Sequence, residues 1–425
     1  MQDIVSNKKE LAILIGVKTS QISGRLVEEH LQELEMLTET AGAETVLKIT
    51  QDRSRIDPAF FIGKGKAEEV AELVKLNDIT LVIFDDDLNP TQLRNLEKLI
   101  DRKILDRSGL ILDIFVSHAK TNQAKTQVEL AQLQYMLPRL TRAWTHLSKQ
   151  YGGIGTKGPG ETQIETDRRI IRTRISKLKE KLKQIEKHDK TKSTKRKDFI
   201  NATIVGYTNA GKSTLINLLT QSDVLAENKL FATLDSTTRS LELDKNKKML
   251  ISDTVGFIRK LPHHLVASFK STLNVVSGAD LILHVIDLSN PFFEDHIAVV
   301  DDTLNELGCK DKDKIMIFNK VDVLPEKEKI NYVQNKFENS IVISAAKGMN
   351  IQKLNEMLIG YYEESFVEKT LRLPINKNKL VSQIYSLAEV ISLEYEDDFI
   401  NLNFKTSKLN HDKIMRLVNE RKSNN

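Results

Sequence analysis

At 425 residues, 40% hydrophobic and 29% charged, the chain is long enough for about three domains and is composed like a soluble globular protein, not a disordered one. Its single cysteine, Cys309, excludes an intrachain disulfide and a cysteine-only zinc site, and no apolar run approaches the ~18 residues of a membrane helix. The net charge of +4 hides a stripe at 168–197, fourteen Lys/Arg against three acids, whose +11 leaves −7 for the rest and points to a polyanionic partner, nucleic acid first.

In chain order, residues 1–115 alternate short apolar runs with helical periodicity. Strands are expected at Leu11–Val17, Thr45–Thr50, Thr80–Phe84 and Lys103–Asp106, and helices at Val27–Thr40, Ala67–Leu76 and Thr91–Ile100. That alternation implies βαβ units and a mainly parallel sheet, an N-terminal α/β domain. Two long helix-prone stretches follow, Val116–Leu147 and Glu161–Lys192, with Pro138 the one internal proline. Five glycines and Pro159 crowd 152–160 between them and make an exposed loop, so 116–192 reads as a basic αα-hairpin. Lys190–Lys197 is a polar basic linker. The βα alternation returns over 198–365, and 373–425 reads as a small C-terminal α/β appendage with a helix at Leu380–Ile391 and strands at Ile391–Tyr395 and Phe399–Phe404. The fold class is therefore α/β and multi-domain.

Gly206-Tyr207-Thr208-Asn209-Ala210-Gly211-Lys212-Ser213 fits G-x-x-x-x-G-K-[ST], the phosphate loop, between an apolar strand at Ala202–Val205 and a helix starting at Thr214. Its backbone N–H groups can close around phosphates, Lys212 can reach the β- and γ-phosphates, and Ser213 can offer a hydroxyl to Mg²⁺. Asp253-Thr254-Val255-Gly256 follows the run Met249–Ile251. Asp253 suits Mg²⁺ through water, and the Gly256 N–H suits a γ-phosphate oxygen. Asn319-Lys320-Val321-Asp322 follows Ile315–Phe318. A carboxylate at Asp322 accepts two hydrogen bonds from guanine that adenine cannot give, which argues for GTP. Ser344-Ala345-Ala346, after Ile341–Ile343, can bring a backbone N–H to the guanine oxygen.

Four such motifs in this order, each closing a strand, resemble the G1, G3, G4 and G5 elements of translation-factor-like GTPases. The G2 element must lie between Ser213 and Asp253 and supply a mobile threonine to Mg²⁺. Phe231-Ala232-Thr233-Leu234-Asp235-Ser236-Thr237-Thr238-Arg239 contains three candidates, and spacing does not separate Thr233 from Thr237 or Thr238. Such a threonine binds only when the γ-phosphate orders its loop, which makes the segment a switch. In the Ras-like pattern a glutamine follows the D-x-x-G glycine and orients the attacking water. Phe257 occupies that position and cannot do so, so slow intrinsic turnover, stimulated by a partner, is expected. His263 and His264 nearby read as surface histidines.

Gly-Pro-Gly-Glu-Thr-Gln at 158–163, Asp167-Arg168-Arg169, FATLDSTTR at 231–239, DTVGFI at 253–258 and Phe60-Phe61-Ile62-Gly63-Lys64-Gly65-Lys66 together resemble the HflX-type GTPases, an Obg-related group. The resemblance covers roughly residues 10–365. Ser236 departs from it, standing where the group more often has proline. It implies that Thr233 is the magnesium threonine and that Phe257 marks a group without the catalytic glutamine. It also implies a chain that binds the large ribosomal subunit.

The expectation is a GTP-hydrolysing switch, with Lys212, Thr233 and Gly256 central to the reaction and Mg²⁺ held by Ser213, Thr233 and Asp253. Its partners would be GTP/GDP, the large ribosomal subunit and its rRNA, with release on hydrolysis and ribosome splitting or rescue as outcomes. A monomer without a membrane span is expected. The start MQDIVSNKKE lacks an apolar core for a secretory signal, so the location expected is cytoplasmic. A GTPase scaffold for ribosome assembly or regulation, and an RNA-remodelling nucleotidase using the N-terminal domain, are the competing readings. Gly63-Lys64-Gly65-Lys66 before a helix is a candidate second phosphate site. Arg142 and Trp144 are candidates for stacking on a base or for packing.

Overall fold

The computed structural model describes residues 9–20, 22–140, 163–193, 199–220, 230–231, 237–244, 247–260, 275–324, 328–396 and 398–420. Thr233, with Ala232, Leu234 and Asp235, lies outside the described residues, as do the loop 152–160, Arg142, Trp144, His263 and His264.

The N-terminal sheet is parallel, in the order β2-β1-β3-β4, from strands β1 (Leu11–Lys18), β2 (Glu44–Asp52), β3 (Leu81–Phe84) and β4 (Lys103–Asp106). Helices α1 (Gly24–Thr40), α2 (Lys64–Leu76), α3 (Pro90–Ile100) and α4 (Arg107–His118) cover both faces. Ala12 and Leu14 of β1 pack towards α1 and α4, whereas Ile13, Ile15 and Val17 pack towards α2 and α3. Burial on both faces is why this strand reads as one unbroken apolar run. Local chemistry sets the helix starts. Ser23 caps α1 by accepting from Leu26 N at 3.3 Å, and Asn89 and Gln92 form a capping box on α3 with Pro90 at its first turn.

The single helix expected over Val116–Leu147 is two helices. α4 ends at His118 and α5 (Asn122–Met136) starts afresh, because the Thr121 hydroxyl accepts from Ala124 N at 3.1 Å and ends the preceding helix by capping the next. The boundary expected at 115/116 thus falls inside α4. Pro138 sits in a 3₁₀ turn at Leu137–Arg139 that closes α5. α6 (Gln163–Ser193) lays Ile171, Ile175, Leu178, Leu182 and Ile185 against Leu130, Leu133 and Leu137. Spacings of four and three residues put these apolar side chains on one seam.

The third unit has a six-stranded sheet, β10-β9-β8-β5-β7-β6, built from β5 (Ile200–Gly206), β6 (Thr238–Asp244), β7 (Lys247–Ser252), β8 (Leu281–Asp287), β9 (Asp313–Asn319) and β10 (Ser340–Val342). Every neighbouring pair is parallel except β6 with β7. α7 (Lys212–Thr220), α8 (Phe293–Glu306), α9 (Glu328–Lys336) and α10 (Ile351–Glu364) pack on this sheet. The fold class is therefore the expected one, α/β with a phosphate-loop domain.

At the C-terminus an antiparallel sheet, β11-β13-β12, packs on α11 (Asn378–Tyr385) and α12 (Lys408–Glu420) around Leu380, Ile384, Ile400, Leu402, Phe404 and Ile414. Here two expectations change. The sheet begins at Phe366, since β11 (Phe366–Pro374) pairs along its whole length with β13 (Phe399–Ser407). The helix expected to reach Ile391 stops at Tyr385, because Val390 and Leu393 are drawn into β12 (Glu389–Glu396) against Phe404 and Leu402.

One apolar cluster crosses from the first unit to the third. Leu31, Leu34, Leu110, Ile114 and Phe115 share a buried core with Tyr207, Leu230, Phe231, Val255 and Ile258.

Candidate functional site

The phosphate loop leaves the C-terminal end of the central strand β5 and enters α7 at Lys212. A phosphate placed there meets the free N–H groups and the positive end of the helix dipole. Lys212 is buried, and its Nζ donates to the carbonyls of Gly206 at 3.1 Å and Tyr207 at 2.8 Å. Burial pushes its ammonium down to about 8, with Asp253 opposing that shift.

Asn319 ties three motifs together. Its Nδ2 donates to the Ala210 carbonyl at 2.9 Å, and its Oδ1 accepts from Ala345 N at 2.9 Å. Gly211 has φ +93°, and a Cβ there would overlap the Asn319 amide nitrogen, so glycine is needed on both counts. The loop after β9 turns at Lys320, a non-glycine residue at φ 65°, whose Nζ pairs with Asp287 Oδ2 at 2.7 Å. Asp322 follows, exposed on the 3₁₀ turn Val321–Val323. Ser344 is buried, and its Oγ accepts from Lys347 N at 3.1 Å, while Ala346 follows at the exposed tip. Gly206, Asn209, Gly211, Lys212, Ser213, Asp253, Asn319 and Ser344 thus gather at the carboxyl ends of the parallel strands, where open α/β sheets bind ligands.

Asp253 and Thr254 close β7. Asp253 Oδ1 accepts from Thr254 N at 2.9 Å, and the Thr254 hydroxyl donates to Ile204 O at 2.8 Å. Gly256 lies flat on the phosphate loop: a Cβ would stand 2.9 Å from Thr208 Cα and 3.0 Å from Lys212 Nζ. Only glycine lets the backbone come that close to the Lys212 ammonium.

Phe257 points away from the site. It is 2% exposed and packs with Val205, Val276, Ile282, Val300, Leu304 and Cys309. Of the three G2 threonines, Thr238 belongs to β6, its hydroxyl 2.9 Å from Ser252 Oγ, and the Thr237 carbonyl accepts from Asp253 N at 3.0 Å. Both are engaged by the sheet edge; Thr233 lies outside the described residues. Phe231, at φ 57°, receives Phe115 edge-on at 4.8 Å, and its N–H donates to Thr208 Oγ1 at 3.4 Å.

At the candidate second site, Lys64 and Lys66 pair with Glu68 at 3.6 Å and Glu69 at 2.6 Å on their own helix. The Arg53 guanidinium donates to Ile62 O at 2.8 Å behind the Gly63 turn. This is the arrangement of a structural turn. Asp287, Asn319 as a double bridge, and the acidic residues that meet Tyr207 and Arg259 are features that the motifs alone do not contain.

Three family models match the chain in succession. A family model described as GTP-binding GTPase N-terminal matches residues 28–116, one described as GTP-binding GTPase Middle Region matches 118–196, and one described as 50S ribosome-binding GTPase matches 201–320. A Flavobacterium psychrophilum protein named GTPase HflX is 46% identical over 389 residues, which span 87% of this chain and 93% of its own. The Escherichia coli protein of that name is 42% identical over 392 residues, 92% of this chain and 91% of its own. A solved GTP-binding protein from Sulfolobus solfataricus in complex with GDP is 23% identical, with a TM-score of 0.45 over 84% of this chain and 99% of its own.

Proposed function

The chain belongs to the HflX family of GTPases, and we propose that its GTP form binds the large ribosomal subunit and splits ribosomes, and that hydrolysis releases it. The chain is a GTPase, so the proposal concerns the partner and what GTP is used for.

The observation that carries the reading is the packing of α6. Its apolar seam is consumed by α5, which leaves Arg169, Arg172, Lys177, Lys179, Lys181 and Lys183 exposed along the opposite faces. Arg174 meets Glu129 at 2.6 Å and Lys181 meets Asn122 at 3.1 Å, and together these exposed cations form a track over several turns. Such a track suits the phosphates of folded RNA. The match to a family model described as a 50S ribosome-binding GTPase supports rRNA of the large subunit as that RNA.

The nucleotide chemistry follows from the loops. Asp322 reads the guanine edge, Asn319 locks the base loop to the phosphate loop, and Ala345 N lies beside the base site. Lys212 exchanges its two backbone carbonyls for phosphate oxygens, and the Gly256 N–H meets the γ-phosphate. The hydroxyls of Ser213 and Thr233 and the carboxylate of Asp253 offer only oxygen donors, a chemistry that fits a hard divalent ion that keeps most of its water. Mg²⁺ held there would neutralise phosphate charge as the bond to the γ-phosphoryl group breaks. Phe257 is committed to the core, so this reading makes intrinsic hydrolysis slow and assigns the missing water-orienting group to the partner. The location is cytoplasmic, with the ribosomes, and the acting form is a monomer.

The deciding experiment is GTP turnover by the purified chain, alone and with large subunits, with gradient analysis of 70S particles alongside. Strong stimulation together with GTP-dependent loss of 70S supports splitting. Stimulation without loss of 70S points to the assembly or regulatory scaffold. Absence of GTP-dependent binding overturns the ribosomal reading. Lys177→Glu, Lys179→Glu and Lys183→Glu combined should weaken subunit binding and flatten its salt dependence.

A further inference from the structure

Four hydrogen bonds close a ring across the boundary between the N-terminal unit and the nucleotide site. The Arg107 guanidinium Nη2 donates to Glu33 Oε2 at 2.8 Å, and Glu33 Oε1 accepts from the Tyr207 hydroxyl at 2.7 Å. That hydroxyl accepts the backbone N–H of Arg259 at 2.9 Å, and the Arg259 carbonyl accepts from Arg107 Nε at 3.3 Å. Tyr207 is the second residue of the phosphate loop, and Arg259 stands three residues beyond Gly256. Arg107 is 2% exposed and Tyr207 5% exposed.

We propose that Glu33 and Arg107 are positioning residues for the GTPase reaction: with Tyr207 as relay, they hold both backbone polar groups of residue 259 and so fix where Gly256 stands when a γ-phosphate arrives. The proposal rests on the nucleotide site and is independent of the ribosomal partner.

The ring is set in a framework that leaves it little slack. Arg107 Nη1 also holds Asp85 Oδ1 at 2.7 Å, and Tyr207 stacks flat on His296 with ring centres 3.7 Å apart. The switch segment is docked at further points: Lys260 Nζ meets Asp85 Oδ2 at 2.6 Å and Asp86 Oδ1 at 2.5 Å, and the Arg259 guanidinium meets His30. These outer contacts join side chain to side chain and act as attachment. The backbone of residue 257 is tied to the phosphate loop alone, through Gly206 and Thr208, whereas the ring holds the backbone of residue 259 from the phosphate loop and the neighbouring unit together. Displacing residue 259 breaks two hydrogen bonds in a buried setting, one of them to an arginine, and leaves their partners unpaired. A γ-phosphate that favours one position of Gly256 is thereby coupled to the N-terminal unit, and coupling between two sites is reciprocal.

The test uses the full chain without ribosomes. Glu33→Gln keeps the shape but can accept from only one of the two donors, and Tyr207→Phe keeps the stacking and removes the hydroxyl. Asp86→Asn weakens the attachment without touching the ring. The readouts are the affinity ratio of a non-hydrolysable GTP analogue to GDP and the single-turnover hydrolysis rate. Glu33→Gln and Tyr207→Phe should each lower the ratio and the rate by about fivefold or more. GDP affinity in Glu33→Gln should stay within about twofold, since GDP makes no demand on Gly256. Asp86→Asn should leave the ratio within about twofold. Equal effects from all three variants, or none from the ring variants, would reduce the ring to interdomain attachment. If Glu33→Gln does not fold, Tyr207→Phe decides alone.

Discussion

The backbone N–H of Thr208 donates to the carbonyl of Phe257 at 2.7 Å, and the Phe257 N–H returns a bond to Gly206 at 3.1 Å. Residues 207 and 257 thus form a parallel bridge that lengthens the sheet into the phosphate site. The same bridge turns the Phe257 ring into the core. Phe257→Gln should therefore fail to accelerate hydrolysis, although it restores the residue type that other GTPases use. It should also destabilise the fold by about 2–4 kcal/mol, through lost packing and a buried amide. Single-turnover kinetics with thermal melts check both parts. A faster, equally stable variant would mean that this side chain swings out to the phosphate.

Asp322 stands exposed on a short turn whose predecessor, Lys320, is anchored by Asp287. Asp322→Asn presents an amide to the two guanine donors, and one of them must then face another donor. GTP affinity should fall on the order of 100-fold, while xanthosine triphosphate, which offers an acceptor there, gains. Unchanged selectivity in competition binding would remove Asp322 from base recognition.

Lys212 carries a pH signature. Burial lowers it to about 8, whereas bound phosphates would hold the proton on. Binding requires the charged form, so GDP affinity should be flat below pH 8 and fall above it, by up to about tenfold per pH unit. Titration from pH 6.5 to 9, with proton uptake measured at pH 8.5, tests this. Affinity that does not vary across that range would show that the lysine is charged before the nucleotide arrives.

His284, on β8, is buried and held down to about 3 from 6.5, by burial first and then by the charges of Lys314 and Lys212. The unfolded chain takes up this proton near pH 6.5, and the folded chain only near 3. The contribution to stability is complete above pH 6.5 and shrinks as pH falls through that window, at up to about 1.4 kcal/mol per unit. His284→Leu should lessen the acid slope of stability between pH 6 and 4 by one proton. An identical slope in both proteins would mean that the imidazole titrates normally in the fold.

The nucleotide motifs were legible because each is a contiguous run at the end of an apolar strand. Gly206–Ser213 and Asn319–Asp322 need only their neighbours in sequence to be recognised. The α4–α5 break was hidden because residues 119–121 contain neither glycine nor proline; a threonine cap does the work, and threonine is tolerated inside helices as well. β11 was missed for a different reason. Glu368, Lys369, Thr370 and Arg372 interrupt its apolar residues, and its strand character comes from pairing with β13, from Pro374 with Phe399 out to Phe366 with Ser407. The ring around residue 259 left no trace, since Glu33 meets Tyr207 across 174 positions and Arg107 meets Arg259 across 152.

The apolar cluster shared by Phe115 and Phe231 bears on how the chain can be taken apart. Tyr207, Leu230, Phe231, Val255 and Ile258 belong to the phosphate loop and to the loops proposed to switch, yet the side chains that keep them dry come from α1 and α4. Cutting the chain near residue 198 would strip that cover and leave an oily face on the very segments whose movement is to be measured. Kinetics of such a fragment would describe loops in a solvent they never meet in the intact chain. Point substitutions within the whole protein are the cleaner instrument.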